Sequence, residues 1–170
     1  MLKQMITSTV VLLFVGLLGY GAAASRSDSP SRAEDRAQID KLMWRYSRAL
    51  EGQKPDTYAA LYAPDGQFVD GTGDFKGREA IEKMFADLKH RQAEAEAKRQ
   101  MKKPAYVIHL NGYLDFPDRD HAHMEGYWLE FSARTGNTPP TVVGVGREVD
   151  ELERANGQWL IKSRDVAPKD

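Results

Sequence analysis

The stretch LYAPDGQFVDG, from Leu61 to Gly71, marks the point where the helical part of the sequence gives way to strands. A Pro-Asp-Gly turn at positions 64–66 is followed by QFVD, in which apolar and polar side chains alternate as they do in a short strand. Asp70 ends that strand. Its carboxylate has two uses at this position: it caps the turn that follows, or it reaches into a ligand pocket.

Three helices are predicted around this stretch. The first begins at Ser31 and ends at Glu51, with Gly52 as its C-terminal cap. The second follows Pro55, and the third opens near Gly77. Apolar residues recur at helical spacing in all three, at Ile39, Leu42, Met43, Tyr46, Ala49 and Leu50, at Tyr58, Leu61 and Tyr62, and at Ile81, Met84, Phe85 and Leu88.

The rest of the sequence is strand-like. Four segments, at 105–116, 121–133, 141–153 and 159–166, have the composition of strands, and hairpin order makes them antiparallel neighbours. Gly144 and Gly146 remove side chains from one face of the third segment, which suits strong bending or the close approach of another group. Three helices followed by a curved four-stranded meander predict an α+β domain.

The first 24 residues are predicted to lie outside the fold. Lys3 precedes an uncharged, mostly apolar run, and AAAS supplies small residues before a cut after Ala24. We therefore expect a signal peptide at 1–24, a linker at 25–30 and one domain at 31–166. An uncleaved membrane anchor is the rival interpretation, because the run approaches the ~20 residues that span a bilayer. Either way the domain is expected outside the cytoplasm, in the periplasm or secreted.

Charge and composition exclude several classes of function. The 170-residue chain has 24 Lys and Arg against 25 Asp and Glu, so it lacks the positive field that holds nucleic acid or an anionic membrane. Without cysteine it has no disulfide, thiolate metal site or cysteine nucleophile. Glycine-rich phosphate and dinucleotide motifs are missing, and we expect no cofactor. The H-x-H-x-E row of His121, His123 and Glu125 is a minor alternative for a metal, and we expect none.

The sequence resembles the SnoaL-like group of the nuclear transport factor 2-like superfamily, which includes ketosteroid isomerases, scytalone dehydratase and polyketide cyclases. The resemblance implies a cone-shaped curved antiparallel sheet wrapped around three N-terminal helices, with an apolar pocket inside. It lies in the order and spacing of six segments: RYSRALE at 45–51, LYAPDGQFVDG at 61–71, FKGREAIEKMF at 75–85, VIHLNGYL at 107–114, HAHMEGYWLEF at 121–131 and VDELERANGQWLIKSRDV at 149–166.

The resemblance also implies site residues. Asp70 lies next to the position of the isomerase general base, which without gaps is Gly71. Tyr46 matches the oxyanion-hole tyrosine, and Asp150 matches the protonated aspartic acid of the isomerases. Neither this set nor the dehydratase set is complete, because Gly71 also stands where the dehydratase has a catalytic tyrosine.

In the dehydratase-like branch, the matching residues are Glu51 and His109, with glutamate here in place of the usual aspartate. Histidine suits proton transfer near neutral pH, so His109 is either an acid–base group or a residue on a partly wet strand face. Glu51 lies about 100° from the apolar stripe of its helix, which also fits a solvated terminal carboxylate. Asp150 alternates with Glu148 and is expected at the surface.

The aromatic residues indicate what the pocket binds. Those left over from core packing, among them Tyr46, Tyr58, Phe85 and Trp128, suit a small hydrophobic or ring-containing ligand. We expect an exported protein that binds such a ligand and catalyses a cofactor-free dehydration, isomerisation or cyclisation, with His109 as acid–base group and Glu51 or Asp70 beside it. The alternative is a non-catalytic ligand-binding or protein-interaction module. Apolar residues on both faces of 121–131 also predict a homodimer.

We expect export to remove residues 1–24, because small residues follow a weakly flanked apolar run. Intact-mass measurement on protein recovered from the cell envelope checks this. A mass that retains Met1, together with fractionation in the membrane, favours the anchor instead.

Overall fold

The computed structural model describes residues 30–99, 105–132, 137 and 139–169, so the predicted signal peptide at 1–24 lies outside the described residues. In these ranges, helices α1 (Pro30–Glu51) and α2 (Pro55–Ala59) precede strands β1 (Tyr62–Asp70) and β2 (Gly73–Lys76). Helix α3 (Arg78–Arg99) follows, and the chain continues with β3 (Ala105–Asp115), β4 (His121–Ser132), β5 (Thr141–Ala155) and β6 (Gln158–Asp165). The predicted α+β class is confirmed.

The strands of the described residues form one sheet in the order β2-β1-β6-β5-β4-β3. Strands β3 to β6 pair with their sequence neighbours as an antiparallel meander, as the hairpin order predicts. The pairing of β1 with β6 is parallel, a detail that the sequence did not indicate. It places the strand that ends at Asp70 beside the end of the chain, with Phe68 opposite Arg164.

Irregular register curves this sheet around the helices. The pairing shifts between Leu110 and Tyr113 on β3, between Glu130 and Phe131 on β4, and between Glu151 and Leu152 on β5. An extra residue in one strand bends that strand and increases its twist, so shifts in successive strands close the sheet into a cone. Its inner face packs on α1, whose predicted stripe is buried at Ile39, Leu42, Met43, Tyr46 and Ala49.

The end of α1 differs from the prediction in one residue. Gln53, not Gly52, adopts the left-handed conformation, with φ of 49°. The Lys54 N–H donates to the Ala49 carbonyl at 3.1 Å, which closes the helix end. Gly52 serves by its size instead, because a Cβ there would lie 3.0 Å from the Arg48 carbonyl oxygen.

No helix among the described residues has the length and apolar character needed to cross a bilayer.

The side of the sheet that faces away from the helices, here called the outer face, is rich in exposed apolar residues. The large apolar side chains that β3, β4 and β5 expose are Tyr106, Ile108, Leu110, Tyr113, Tyr127, Val142, Val143 and Val145. An uncovered apolar surface of this kind favours association.

We propose that a second copy of the chain covers the outer face. Wild-type protein at micromolar concentration should scatter light as a dimer, and Val145→Glu should scatter as a monomer because it places a charge in the apolar contact. Trp44→Glu is the control, since Trp44 on α1 is as exposed as Val145, at 64% against 65%. A monomeric wild type, or equal effects of both variants, would contradict a dimer through this face.

Candidate functional site

A cavity of about 140 Å³ lies between the helices and the inner face of the sheet. Most of its wall is aromatic or aliphatic, and the polar side chains on it are few. Helices α1, α2 and α3 contribute Tyr46, Leu50, Tyr58, Met84, Phe85 and Leu88, and the strands and the residue after β6 contribute Phe68, Asp70, Val107, His109, Trp128, Glu130, Arg164 and Val166. A mainly apolar wall with a few polar groups is typical of a small-molecule site.

Arg164 of β6 is the buried charge next to this cavity, with 1% of its side chain exposed. Its guanidinium donates to Asp150 Oδ2 at 2.6 Å and to a carboxylate oxygen of Glu148. It also lies over the ring of Tyr46, 4.1 Å from the centroid. Burial alone would lower the pKa of Arg164, but Asp150, Tyr46 and Glu148 raise it well above its usual value. The guanidinium therefore stays charged.

His109 joins this group from β3. Its Nδ1 lies 3.0 Å from each carboxylate oxygen of Glu148 and 3.3 Å from Arg164 Nη2. The carboxylate is the nearer group, and it can only accept, so His109 Nδ1–H donates to Glu148. His109 Nε2 is buried and has no hydrogen-bond partner among the described residues. We call His109, Glu148, Arg164 and Asp150 the polar cluster.

A glycine in the middle strand makes the contact between His109 and Glu148 fit. The two residues belong to β3 and β5, and β4 runs between them, with Gly126 directly opposite Glu148. A Cβ on Gly126 would lie 3.4 Å from Glu148 Oε1 and 3.2 Å from the Leu110 carbonyl oxygen. With only hydrogen at this position, the carboxylate and the imidazole meet across the middle strand.

Asp150 is fully buried, which corrects the expectation that it lies at the surface. Burial raises its pKa to about 7, while Arg164 opposes the shift and Glu148 adds to it. Arg164 does not cancel the effect of burial, because its one guanidinium faces two carboxylates. Asp150 Oδ1 is buried without a hydrogen-bond partner within the described ranges. The alternating face of β5 that carries Glu148, Asp150 and Leu152 points inward.

Three buried tyrosines form a chain of hydroxyl groups beside the cluster. Tyr62 donates to Tyr58 at 3.2 Å, and Tyr58 shares a hydrogen bond with Tyr46 at 2.9 Å. Burial raises the pKa of all three phenols, so they are protonated at neutral pH. The three hydroxyl groups have three hydrogens, and the two hydrogen bonds between them use two. The third hydrogen, on Tyr46 or Tyr58, is not used within the chain of tyrosines. Both of these residues line the cavity.

The structure separates the predicted site residues into two groups. His109, Asp70, Tyr46, Tyr58, Phe85 and Trp128 line the cavity together. Asp70 Oδ1 also caps the turn, accepting hydrogen bonds from Thr72 N at 2.7 Å and Gly73 N at 3.0 Å. Asp70 therefore caps the turn and also borders the cavity.

Glu51 belongs to the second group. It is paired with Arg48 at 2.5 Å and lines a separate groove between α1 and β3, which one side of His109 also borders. The carboxylate that holds His109 is Glu148, which the sequence did not predict as a site residue. The signals that point to it are the inward alternation of Glu148 and Asp150 on β5 and the facing Gly126.

The H-x-H-x-E row lies on the other side of the sheet. Both ring nitrogens of His123 face carboxylates, Glu151 at 2.7 Å and Glu125 at 3.0 Å, and these bonds raise the pKa of His123. His121 pairs with Asp118 at 2.9 Å. The described residues hold no group of three or more His, Asp or Glu side chains that suits a metal ion. The row is occupied by ion pairs.

A curved sheet wrapped around helices and an internal cavity is the nuclear transport factor 2-like cone. The family model of the SnoaL-like domain matches residues 31–165. The chain therefore belongs to the SnoaL-like domain family, as the sequence resemblance predicted.

Solved structures share this fold at low sequence identity. ActVI-ORFA from Streptomyces coelicolor is 20% identical, with a TM-score of 0.65 over 78% of this chain and 95% of that chain. A candidate scytalone dehydratase from Novosphingobium aromaticivorans is 21% identical, with a TM-score of 0.61 over 79% and 84% of the two chains. An NTF2-like protein with a cystatin-like fold from the same organism is 21% identical, with a TM-score of 0.66 over 82% and 84%. No curated protein matches the sequence significantly.

Asp150 should make the stability of the domain depend on pH. Its pKa is about 7 in the folded protein against 3.8 for an ordinary aspartate, so the folded state keeps a proton that the unfolded state releases. This contribution is present below about pH 4 and is lost as the pH rises through about 7. The Tm of the wild type should therefore fall between about pH 4 and 7, and Asp150→Asn should flatten the fall. Equal slopes of Tm against pH in Asp150→Asn and in the exposed control Asp56→Asn would contradict this.

Proposed function

We propose that the cavity binds a small, uncharged, ring-containing molecule and that His109 moves a proton on it without a cofactor. The reaction class is dehydration, isomerisation or cyclisation. The observation that supports this most is the state of His109. Its Nδ1 is held by Glu148, its Nε2 is buried without a hydrogen-bond partner in the described part of the chain, and the residue borders both the cavity and the groove between α1 and β3. A buried polar atom in that state needs a partner, and a ligand supplies one.

The size of the cavity limits the enclosed part of the ligand to about one ring. Its volume of about 140 Å³ is close to that of an engineered apolar cavity of about 150 Å³ that takes up benzene. The wall suits a ring, because Tyr46, Phe68 and Trp128 are among its aromatic side chains. A second ring would have to extend out of the enclosed space.

The charges of the polar cluster favour an uncharged ligand. Arg164 is compensated by Glu148, and Asp150 is protonated about half of the time near neutral pH. The cluster thus has little net charge to offer a carboxylate or phosphate. The cavity wall also carries the carboxylates of Asp70 and Glu130, which accept hydrogen bonds, and the spare hydroxyl hydrogen of Tyr46 or Tyr58, which suits a carbonyl or hydroxyl oxygen.

His109 would act first as a base and then as an acid. With its Nδ1–H donated to Glu148, Nε2 has the lone pair that accepts a proton from the carbon or hydroxyl group being activated. Glu148 balances the charge of the imidazolium that forms. His109 then returns the proton, either to a leaving hydroxyl, which departs as water, or to a second carbon. The tyrosine hydroxyl would stabilise the negative charge that develops on the ligand oxygen.

Similar proteins and the N-terminal segment support parts of this proposal. The likeness to a candidate scytalone dehydratase agrees with dehydration as the reaction, although it establishes the fold alone. The apolar segment before Ala24 supports a site of action in the periplasm or outside the cell.

His109→Gln should lower turnover by roughly 10²–10⁴-fold, the usual worth of a positioned acid–base group. A substrate comes first, from a thermal-shift screen of uncharged monocyclic phenols, enones and hydroxyketones, followed by an assay for loss of water or a shifted double bond. His90→Gln is the matched control, because His90 lies on the exposed end of α3 with 76% of its side chain accessible.

Two outcomes would overturn the catalytic proposal. Full activity in His109→Gln would make the histidine an ordinary wall residue. Tight binding of screened compounds with no turnover under any condition would support the alternative, a ligand-binding module.

A further inference from the structure

We propose that Gly144 and Gly146 determine ligand size by setting the position of Trp128, which forms a wall of the cavity. The two glycines lie on β5, and Trp128 lies on β4 directly opposite Gly146. The inference rests on the proposed function in one respect, that the cavity is where the ligand binds. It goes further in naming residues that act on specificity through a neighbouring side chain.

The indole of Trp128 occupies the space that side chains at the two glycines would fill. A Cβ on Gly146 would lie 2.6 Å from Trp128 Cε2 and Cζ2 and 2.7 Å from Nε1. A Cβ on Gly144 would lie 2.9 Å from Cζ3 and 3.4 Å from Cη2. Contacts under 3.0 Å force one partner to move, and the β5 backbone at both glycines is held by its pairing with β4. The ring is the part that moves.

Hydrogen bonds hold the ring in this position. Trp128 Nε1 donates to the carbonyl oxygens of Arg147 at 3.2 Å and Val166 at 3.1 Å. The indole is therefore fixed flat against β5, and its other side is left to the cavity. The sequence indicated this use of Gly144 and Gly146, since a strand without side chains suits the close approach of another group.

The position of the indole bears on the chemistry because Trp128 is also the direct neighbour of His109. The two residues are register partners on β4 and β3, and both line the cavity. A ring that lies flat leaves room for a ligand in front of His109. Alanine at 144 or 146 would push the ring into that room, and a smaller ring at 128 would enlarge it.

Calorimetry with phenol, which has one ring, and 2-naphthol, which has two, measures how the position of Trp128 limits ligand size. Trp128→Phe should shift the affinity ratio towards 2-naphthol by roughly 10-fold or more, as expected when a pocket gains space for added carbons. Gly144→Ala, the milder glycine variant, should weaken both ligands and 2-naphthol the more. Gly112→Ala on β3 is the control, because a Cβ there meets nothing within 4 Å.

Two further readouts separate a moved ring from a damaged fold. In ¹H–¹⁵N spectra of the ligand-free protein, Gly146→Ala should shift the indole signal of Trp128 and leave that of Trp44, on the exposed side of α1, unchanged. The double variant Gly146→Ala/Trp128→Phe should regain phenol binding, because the shorter ring avoids the new Cβ.

The proposal is overturned by an unchanged affinity ratio in Trp128→Phe, by Gly144→Ala that behaves like Gly112→Ala, or by a wild type that binds neither compound. Failure of catalysis is a separate result, since it would show as bound ligand without turnover and would leave the affinity ratio intact.

Discussion

The burial of one guanidinium, that of Arg164, constrains the rest of the site. A charge taken out of water is tolerated only when partners compensate it, and here they come from two elements: Glu148 and Asp150 on β5 and the ring of Tyr46 on α1. Removal of one partner from such a group typically costs about 3–5 kcal/mol. The curvature of the sheet brings these groups together, and the lack of a side chain at Gly126 leaves the Glu148 carboxylate and the Leu110 carbonyl uncrowded.

The polar cluster has two carboxylates and one guanidinium, and this imbalance lets one carboxylate titrate near neutral pH. Arg164 fixes the charge of one carboxylate, and the other, Asp150, titrates with a pKa of about 7. A proton that arrives on His109 therefore joins a cluster in which Asp150 can release another proton near neutral pH. The cluster changes its protonation without large changes in net charge, which favours repeated acid–base steps in an apolar surrounding.

Local pattern predicted the three helices, the strands of the meander and much of the cavity wall, and contacts across the sheet were beyond it. It was wrong at 61–66, where a helix end and a turn were predicted and β1 already begins at Tyr62. Helical spacing placed Tyr46 and Phe85 inward, strand alternation together with the family resemblance indicated His109, and Gly144 and Gly146 indicated a close approach that Trp128 makes. Glu148 and Arg164 were missed because β5 and β6 carry charges on both faces. Their burial depends on register shifts in the sheet, which periodicity does not encode. Glu51 lies outside the cavity because helix α1 turns its last residue towards β3.

The tautomer of His109 tests the central claim most directly, because the polar cluster assigns a different role to each ring nitrogen. Two-bond ¹H–¹⁵N correlation spectra of the wild type, with His109→Gln to assign the signals, report which nitrogen carries the proton of the neutral ring. We expect the proton on Nδ1, donated to Glu148, and a bare Nε2. A neutral ring with its proton on Nε2 and Nδ1 accepting from Arg164 would contradict the arrangement, and with it the use of Nε2 as the base.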